Sequence, residues 1–363
     1  MKKTNVMVLF GGKSHEHEVS LMSAASILRA INKEKYNIIP VVITKEGNWQ
    51  RYNSTVKEIE SGEWEGIKNM LLNDEKTSSV SLIPQKSNSG SIALGGTVED
   101  IDVVFPVLHG PFGEDGTIQG LLETINVPYV GAGVLASAVA MDKAVVKALF
   151  KAEDIPQADY TVVYRKKYEE SPIRELEAIE ERLKYPVFVK PANLGSSVGI
   201  SKARNRQQLM AAIEEASRYD RKIVIEENIN AREIECSVLG NDEPIASLPA
   251  EIIPSHEFYD YQDKYFDGKT QFIIPADLPK ETIEKIRSLA IKVYRLIDCS
   301  GLARVDFFIE KSTNRILINE INTMPGFTKI SMYPKMWEAS GIKYEELINR
   351  LIDLAIERFN ERN

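Results

Sequence analysis

The stretch Arg304-Val305-Asp306-Phe307-Phe308-Ile309-Glu310-Lys311-Ser312-Thr313-Asn314-Arg315-Ile316-Leu317-Ile318-Asn319-Glu320-Ile321-Asn322 reads as two strands joined by a turn near Lys311–Asn314. Strand alternation puts Arg304 and Asp306 on one face of the first arm, and Glu320 and Asn322 on one face of the second. Counted from the turn, Asp306 and Glu320 stand nearly opposite, and a bulge would shift that register by one. Two carboxylates and an amide oxygen converging there form a hard, oxygen-only site that suits Mg²⁺ bound jointly with phosphates. The alternative is a salt-bridged sheet face in which Arg304 simply neutralises Asp306.

Upstream lies Lys190-Pro191-Ala192-Asn193-Leu194-Gly195-Ser196-Ser197-Val198-Gly199, a lysine ending a strand before a loop of small residues. Such a loop offers backbone N–H groups and hydroxyls to an anion and lets the backbone approach closely. A plain hairpin loop would look the same. Asp142 in Met141-Asp142-Lys143 is a candidate helix N-cap. Glu226 and Glu233 flank a connection between strands and suit an amino group and hydroxyls as acceptors.

The first third alternates strands (Asn5–Phe10, Tyr36–Ile43, Asp102–Val107, Val127–Val130) with helices (Glu18–Asn32, Thr117–Ile125). That rhythm implies a parallel sheet flanked by helices. Gly11-Gly12-Lys13-Ser14-His15-Glu16-His17-Glu18 opens the first helix, either as an anion site with Glu16 projecting inward or as a glycine turn with Ser14 as N-cap. His109-Gly110-Pro111-Phe112-Gly113-Glu114-Asp115-Gly116 follows a strand, where open α/β sheets place ligands. The chain's 363 residues allow two or three domains. Residues 47–97 read as an exposed excursion. The polar, aromatic segment between Ile253 and Gln271, which contains Phe258–Asp267, reads as either a functional lid or a disordered loop.

Composition excludes several classes. Net charge is −8, and no basic block marks a nucleic-acid surface. No apolar run approaches the ~20 residues of a membrane span. Cys236 and Cys299 are too few for a disulfide framework and read as buried thiols in a reducing cytoplasm. His15 and His17 lack the i, i+4 spacing of a zinc helix. No P-loop motif is present. Gly131-Ala132-Gly133-Val134-Leu135-Ala136 fits a dinucleotide fingerprint but does not open the first βαβ unit, so it reads as a tight turn.

The order Gly-Gly-x-Ser-x-Glu-x-Glu-Val-Ser, His-Gly-x-x-Gly-Glu-Asp-Gly, Met-Asp-Lys, Lys-Pro-x-x-x-Gly-Ser-Ser-Val-Gly, Arg-x-Asp and Asn-Glu-Ile-Asn-Thr-x-Pro-Gly resembles the D-alanine–D-alanine ligases of the ATP-grasp superfamily. It runs from Gly11 to Ser331. The resemblance implies an α/β and α+β chain. A doubly wound parallel-sheet domain over residues 1–140 would bind the first substrate. Two α+β domains, 141–230 with a phosphate lid and 231–363 with a metal site, would sandwich ATP.

It further implies that Lys143, Lys190 and Ser197 meet the phosphates, and that Glu226 and Glu233 hold adenine and ribose. Asp306, Glu320 and Asn322 would bind two Mg²⁺, with Mn²⁺ able to substitute. Glu16, supported by Ser196 and Tyr265, would hold the ammonium of the first D-alanine, near His109. Arg304 and the backbone of Gly326 would face the oxyanion, and Ser331 and Lys264 the carboxylate of the second D-alanine. The implied activity is ATP-dependent dipeptide formation through an acyl phosphate for peptidoglycan precursors, by a cytoplasmic homodimer that contacts neither membrane nor nucleic acid. Rival readings are a ligase for another carboxylate–amine pair, a D-alanine–D-lactate ligase, an NAD-dependent dehydrogenase and a non-catalytic nucleotide sensor. Neither NAD nor NADP is expected to bind at Gly131–Ala136. Micromolar affinity for either in a calorimetric titration would restore the dehydrogenase reading.

Overall fold

The computed structural model describes residues 3–52, 56–57, 80–83, 90–94, 97–195, 198–253, 270–328 and 330–362. Three sheets follow the order of the sequence blocks. In the first, β1 (Thr4–Gly11), β2 (Tyr36–Ile43), β3 (Trp49–Arg51) and β7 (Val103–Val107) lie in the order β3-β2-β1-β7. β1 is parallel to β2 and β7, and β3 is antiparallel to β2 at the edge. Between β3 and β7, the strands β4 (Val80–Ile83), β5 (Gly90–Leu94) and β6 (Thr97–Ile101) form a small antiparallel sheet. Those strands lie within the stretch that the sequence marks only as an excursion.

β1 is buried on both faces, as a parallel strand covered by helices must be. Val6, Val8 and Phe10 pack toward the first helix, α1 (His17–Ala30). Met7 and Leu9 pack on the other side with Ile118 and Leu122 of α2 (Thr117–Thr124). This is the doubly wound arrangement. The expected strand Val127–Val130 is reduced to one parallel bridge between Val104 and Tyr129. Pro128 donates nothing to a ladder, and Gly131 turns the chain at φ +104° two residues past Tyr129.

Two helices follow, α3 (Val134–Met141) and α4 (Lys143–Ala152). Asp142 breaks them and caps the second, accepting from the N–H groups of Ala144 and Val145 at 3.1 Å each. The second sheet has the order β10-β9-β11-β8, from β8 (Tyr160–Tyr164), β9 (Val187–Pro191), β10 (Ser201–Ala203) and β11 (Lys222–Glu227). α5 (Arg165–Glu170) and α6 (Pro172–Arg182) stand as two helices, because Pro172 can start a helix but not continue one. α7 (Arg206–Ala216) begins at the Asn205 cap. Val187, Val189, Ile223 and Ile225 face α6 and α7 and form the core of this block.

The third sheet runs β15-β14-β12-β16-β17, with β13 beside β12. Its strands are β12 (Ala231–Gly240), β13 (Ile245–Ala246), β14 (Ala250–Ile253), β15 (Gln271–Ile273), β16 (Gly301–Glu310) and β17 (Ile316–Asn322). Ile234, Cys236, Val305, Phe307 and Ile321 form one face and pack under α8 (Lys280–Leu296). α9 (Met332–Ala339) and α10 (Tyr344–Arg362) close the chain. α10 returns to the first sheet, where Leu347, Ile348, Leu351 and Ile352 join the core cluster of Val6, Val8 and Phe10.

Asp142 also ties the blocks electrostatically, because its carboxylate pairs with Lys222 of β11. Asp142→Ala should lose the cap and the pair, at a cost of roughly 0.5–2 kcal/mol for the cap alone. Asp142→Asn keeps the cap and should lose less. Urea unfolding of the two variants measures the difference, and equal stabilities would contradict the capping role.

Candidate active site

The polar faces of the second and third sheets approach each other, with Glu320 and Glu233 of the third within electrostatic reach of Lys190 of the second. On the third sheet, Glu235 pairs with Asp306 and Ser237 with Arg304. Across the other edge Arg304 pairs with Asn322 and Asp306 with Glu320. The register shifts by one between Asp306 and Phe307, since Phe307 faces Ile318 while Asp306 faces Glu320. Asn319 is the extra residue. Without that bulge Asp306 would face Asn319, so the bulge is what brings the two carboxylates together. It sits where the chain before β8 docks, with Ile318 N–H donating to Pro156 O at 2.8 Å.

Arg304 holds Asp306 side-on, Nε donating to Oδ1 and Nη2 to Oδ2 at 2.7 Å each, and its Nε lies 3.1 Å from Glu235 Oε1. Burial works against its charge, but Asp306 and Glu235, with Glu320 further away, hold it well above the usual arginine range. Asn322 Nδ2 donates to Asp306 Oδ2 at 2.9 Å. Among the described residues no three His, Cys, Asp or Glu side chains form a ready metal cage. Two carboxylates and an amide match the way Mg²⁺ is usually held, by one or two carboxylates together with phosphates and water. The donor set therefore fits Mg²⁺, provided the Asn322 amide turns its oxygen inward and Arg304 yields an Asp306 oxygen.

On the second sheet Lys190, Val224, Phe188 and Glu226 share the face opposite the core. Lys190 Nζ donates to Glu226 Oε2 at 2.7 Å. Burial opposes the charges of both. Lys147 and Lys190 outweigh it at Glu226 and pull its pKa down, while Glu226, with Glu320 and Glu233 of the third sheet, raises that of Lys190. The lysine thus senses carboxylates of both sheets. Lys143 Nζ donates to Leu194 O at 2.7 Å, and its N–H to Ala192 O at 3.0 Å, so it stands at the small-residue loop. Ser196, Ser197, Lys264 and Tyr265 lie outside the described residues, as does the Phe258–Asp267 segment.

Glu16 and His109 meet at the switch point of the first sheet, where the loops after β1 and β7 diverge. Ser14 Oγ donates to His109 O at 2.6 Å, which fastens the loops together. Ser14 does not cap the helix; Glu16 is the N-cap residue and makes no side-chain cap bond. A methyl group on Gly110 would stand 2.6 Å from Glu16 Oε2, and one on Gly195 3.6 Å from it. The Glu16 carboxylate therefore lies between the first-sheet loops and the small-residue loop. His15 is exposed and His17 buried, so the two do not share a site.

Gly326 and Ser331 also adjoin, with 3.0 Å between a methyl placed on Gly326 and Ser331 Oγ. Ser331 Oγ accepts from Thr328 N–H at 2.9 Å, at the head of α9. Sequence reasoning missed Lys147, Glu235 and Glu114. Lys147 stands one helical turn past Lys143, and Glu235 two residues past Glu233, so helix and strand periodicity carried the signal for both.

Models of the D-ala D-ala ligase N-terminus and C-terminus match residues 5–132 and 149–353. The chain belongs to the D-alanine–D-alanine ligase family. It is 53% identical to the D-alanine–D-alanine ligase of Acetivibrio thermocellus, covering 99% of this chain and 97% of that protein. The solved D-alanine–D-alanine ligase from Coxiella burnetii superposes with TM-score 0.86 at 36% identity, over 100% of this chain and 96% of that one. The VanG D-Ala:D-Ser ligase from Enterococcus faecalis gives 0.86 at 37%, over 98% and 100%. The fold is accordingly that of the ATP-grasp ligases.

His109 offers a test of the switch-point geometry. It is 4% exposed. Its Nδ1 stands 3.7 Å from Glu114, and its Nε2 is 3.1 Å from Ser23 Oγ. Burial opposes its charge, but Glu114 and Glu16 outweigh it and raise its pKa above 6.5. A raised folded-state pKa contributes stability that is complete below pH 6.5 and is lost as pH rises through the folded value. Wild-type protein should lose more unfolding free energy than His109→Gln on going from pH 6.5 upward. Urea titrations at several pH values test this, and parallel profiles would contradict it.

Proposed function

We propose that the protein joins two D-alanine molecules at the expense of ATP, releasing ADP and phosphate. The observation that carries this reading is the cleft itself: a lysine-bearing face, Lys190 with Lys143 beside it, opposite the face of Arg304, Asp306, Glu320 and Asn322, with Glu16 at one end. Residues 1–140, 141–230 and 231–363 act as the units for the first substrate, the phosphate lid and the metal.

A carboxylate oxygen of the first D-alanine attacks the γ-phosphorus of ATP, and ADP leaves. The amine of the second attacks the acyl-phosphate carbonyl, phosphate departs, and the amine gives up a proton. Phosphoryl transfer of this kind needs positioning and charge stabilisation more than covalent help. Glu16, with Ser196 and Tyr265, holds the first ammonium beside His109. Lys143, Lys190 and Ser197 meet the phosphates, while Glu226 and Glu233 receive adenine and ribose. Asp306, Glu320 and Asn322 would hold two Mg²⁺, or Mn²⁺, which would supply positive charge to neutralise developing phosphate charge. Arg304 and the Gly326 N–H face the oxyanion. Ser331 and Lys264 take the carboxylate of the second D-alanine. The acyl phosphate is water-labile, so the lid segments must close over it. The enzyme works as a cytoplasmic homodimer. Among the described residues no helix is long and apolar enough to cross a membrane.

The decisive experiment follows ADP release with ATP and Mg²⁺ while D-alanine, D-lactate and D-serine are offered in turn as second substrate, and weighs each product. D-Alanyl-D-alanine should dominate at neutral pH, and a dominant ester or mixed product would overturn the substrate assignment. Asp306→Asn and Glu320→Gln should each lower turnover by orders of magnitude without unfolding the protein. Near-normal turnover of either variant at saturating Mg²⁺ would remove the metal assignment.

A further inference from the structure

Lys147 is a buried lysine for which the reaction just described has no use. It is 2% exposed and one helical turn past Lys143, so both point from the same face of α4. Its Nζ lies 3.1 Å from Glu226 Oε1, without the angle of a hydrogen bond, and 5.5 Å from the centre of the Tyr160 ring. The other oxygen, Glu226 Oε2, accepts from Lys190 at 2.7 Å. One carboxylate thus stands between two ammonium groups, and Glu226 is only 3% exposed.

Counted as charges, the three groups sum to one positive. A lone Lys190–Glu226 pair would be neutral and would offer little to a polyphosphate. We propose that Lys147 is a positioning residue that shares the charge of Glu226, so that Lys190 keeps a net positive charge for the nucleotide phosphates. A buried excess charge is costly unless an opposite one arrives, and the phosphates of a bound nucleotide supply it. Glu226 also fixes where Lys190 Nζ points. The triad is therefore a preformed receptor for negative charge that touches the nucleotide through only one of its two lysines. This rests on the reading that ATP occupies the cleft.

The test compares binding of ADP with binding of adenosine, which lacks phosphate, by calorimetry on the full chain. The ratio of the two affinities isolates the phosphate contribution. Lys147→Met should lower that ratio about tenfold, as expected for one charge at a moderate effective dielectric. Lys147→Arg should preserve it. Lys147→Met combined with Glu226→Gln restores a single net positive charge and should recover the ratio, even if adenosine itself binds less well. If Lys147→Met does not fold, Glu226→Gln alone supplies the test with opposite sign, and the ratio must rise. An unchanged ratio in Lys147→Met, or equal losses for ADP and adenosine, would mean that Lys147 only supports packing. A ratio in Glu226→Gln that stays level or falls would be equally fatal. Wild-type protein that binds no ADP would instead refute the ATP reading.

Discussion

Alternation along paired strands is the constraint on which the molecule depends. The second and third sheets each bury one face against helices, and period-two geometry leaves every other residue on the opposite face. Val187 and Val189 go under α6 and α7, which leaves Lys190 facing outward. Val305 and Phe307 go under α8, which leaves Arg304 and Asp306. The chemistry is thus the complement of the core. A substitution that slipped either strand by one residue would bury these charges and expose the apolar side chains together.

The bulge at Asn319 is the one departure from that rule, and it shows how closely the rule is used. Regular pairing from the turn would set an amide opposite Asp306. One inserted residue sets a carboxylate there and also carries Asn322 to the same face. The result concentrates Glu235, Asp306 and Glu320 around a single guanidinium. Like charges gathered at low exposure repel, so Arg304 is as much a structural counter-ion as a reactive group.

Most of this cleft was legible in the sequence, for a specific reason. Arg304, Asp306, Glu320 and Asn322 lie on two adjacent strands joined by a short turn, so local spacing fixed their faces. Asp142 was legible as a cap for the same local reason. The place of Lys147 one turn past Lys143 was legible too, but its pairing with Glu226 was not, because Glu226 lies far along the chain and only tertiary packing brings them together. The Val127–Val130 strand failed where β-branched composition promised a ladder that Pro128 and Gly131 prevent. The small sheet of β4, β5 and β6 escaped notice because its strands are short and sit among glycine, serine and charge.

The return of α10 to the first sheet has a consequence for how the chain comes to be folded. Arg358 reaches Tyr129 O at 3.1 Å and stacks 4.4 Å from the Tyr129 ring centre, and Arg362 joins Glu123 of α2 at 2.7 Å. With the apolar contacts of Leu347 to Ile352, this makes the earliest and latest parts of the sequence share one core. During synthesis β1, α1 and β2 emerge with the Val6, Val8 and Phe10 side covered by α1 alone, and the second helix on that side, α10, is made more than three hundred residues later. Folding of the first sheet from the N-terminus alone therefore leaves its core incomplete until α10 docks. Contacts of such long sequence separation carry a large loop-closure cost, which is met only once the intervening sheets are in place. The nascent N-terminal block thus keeps apolar surface open to chaperones until α10 is made.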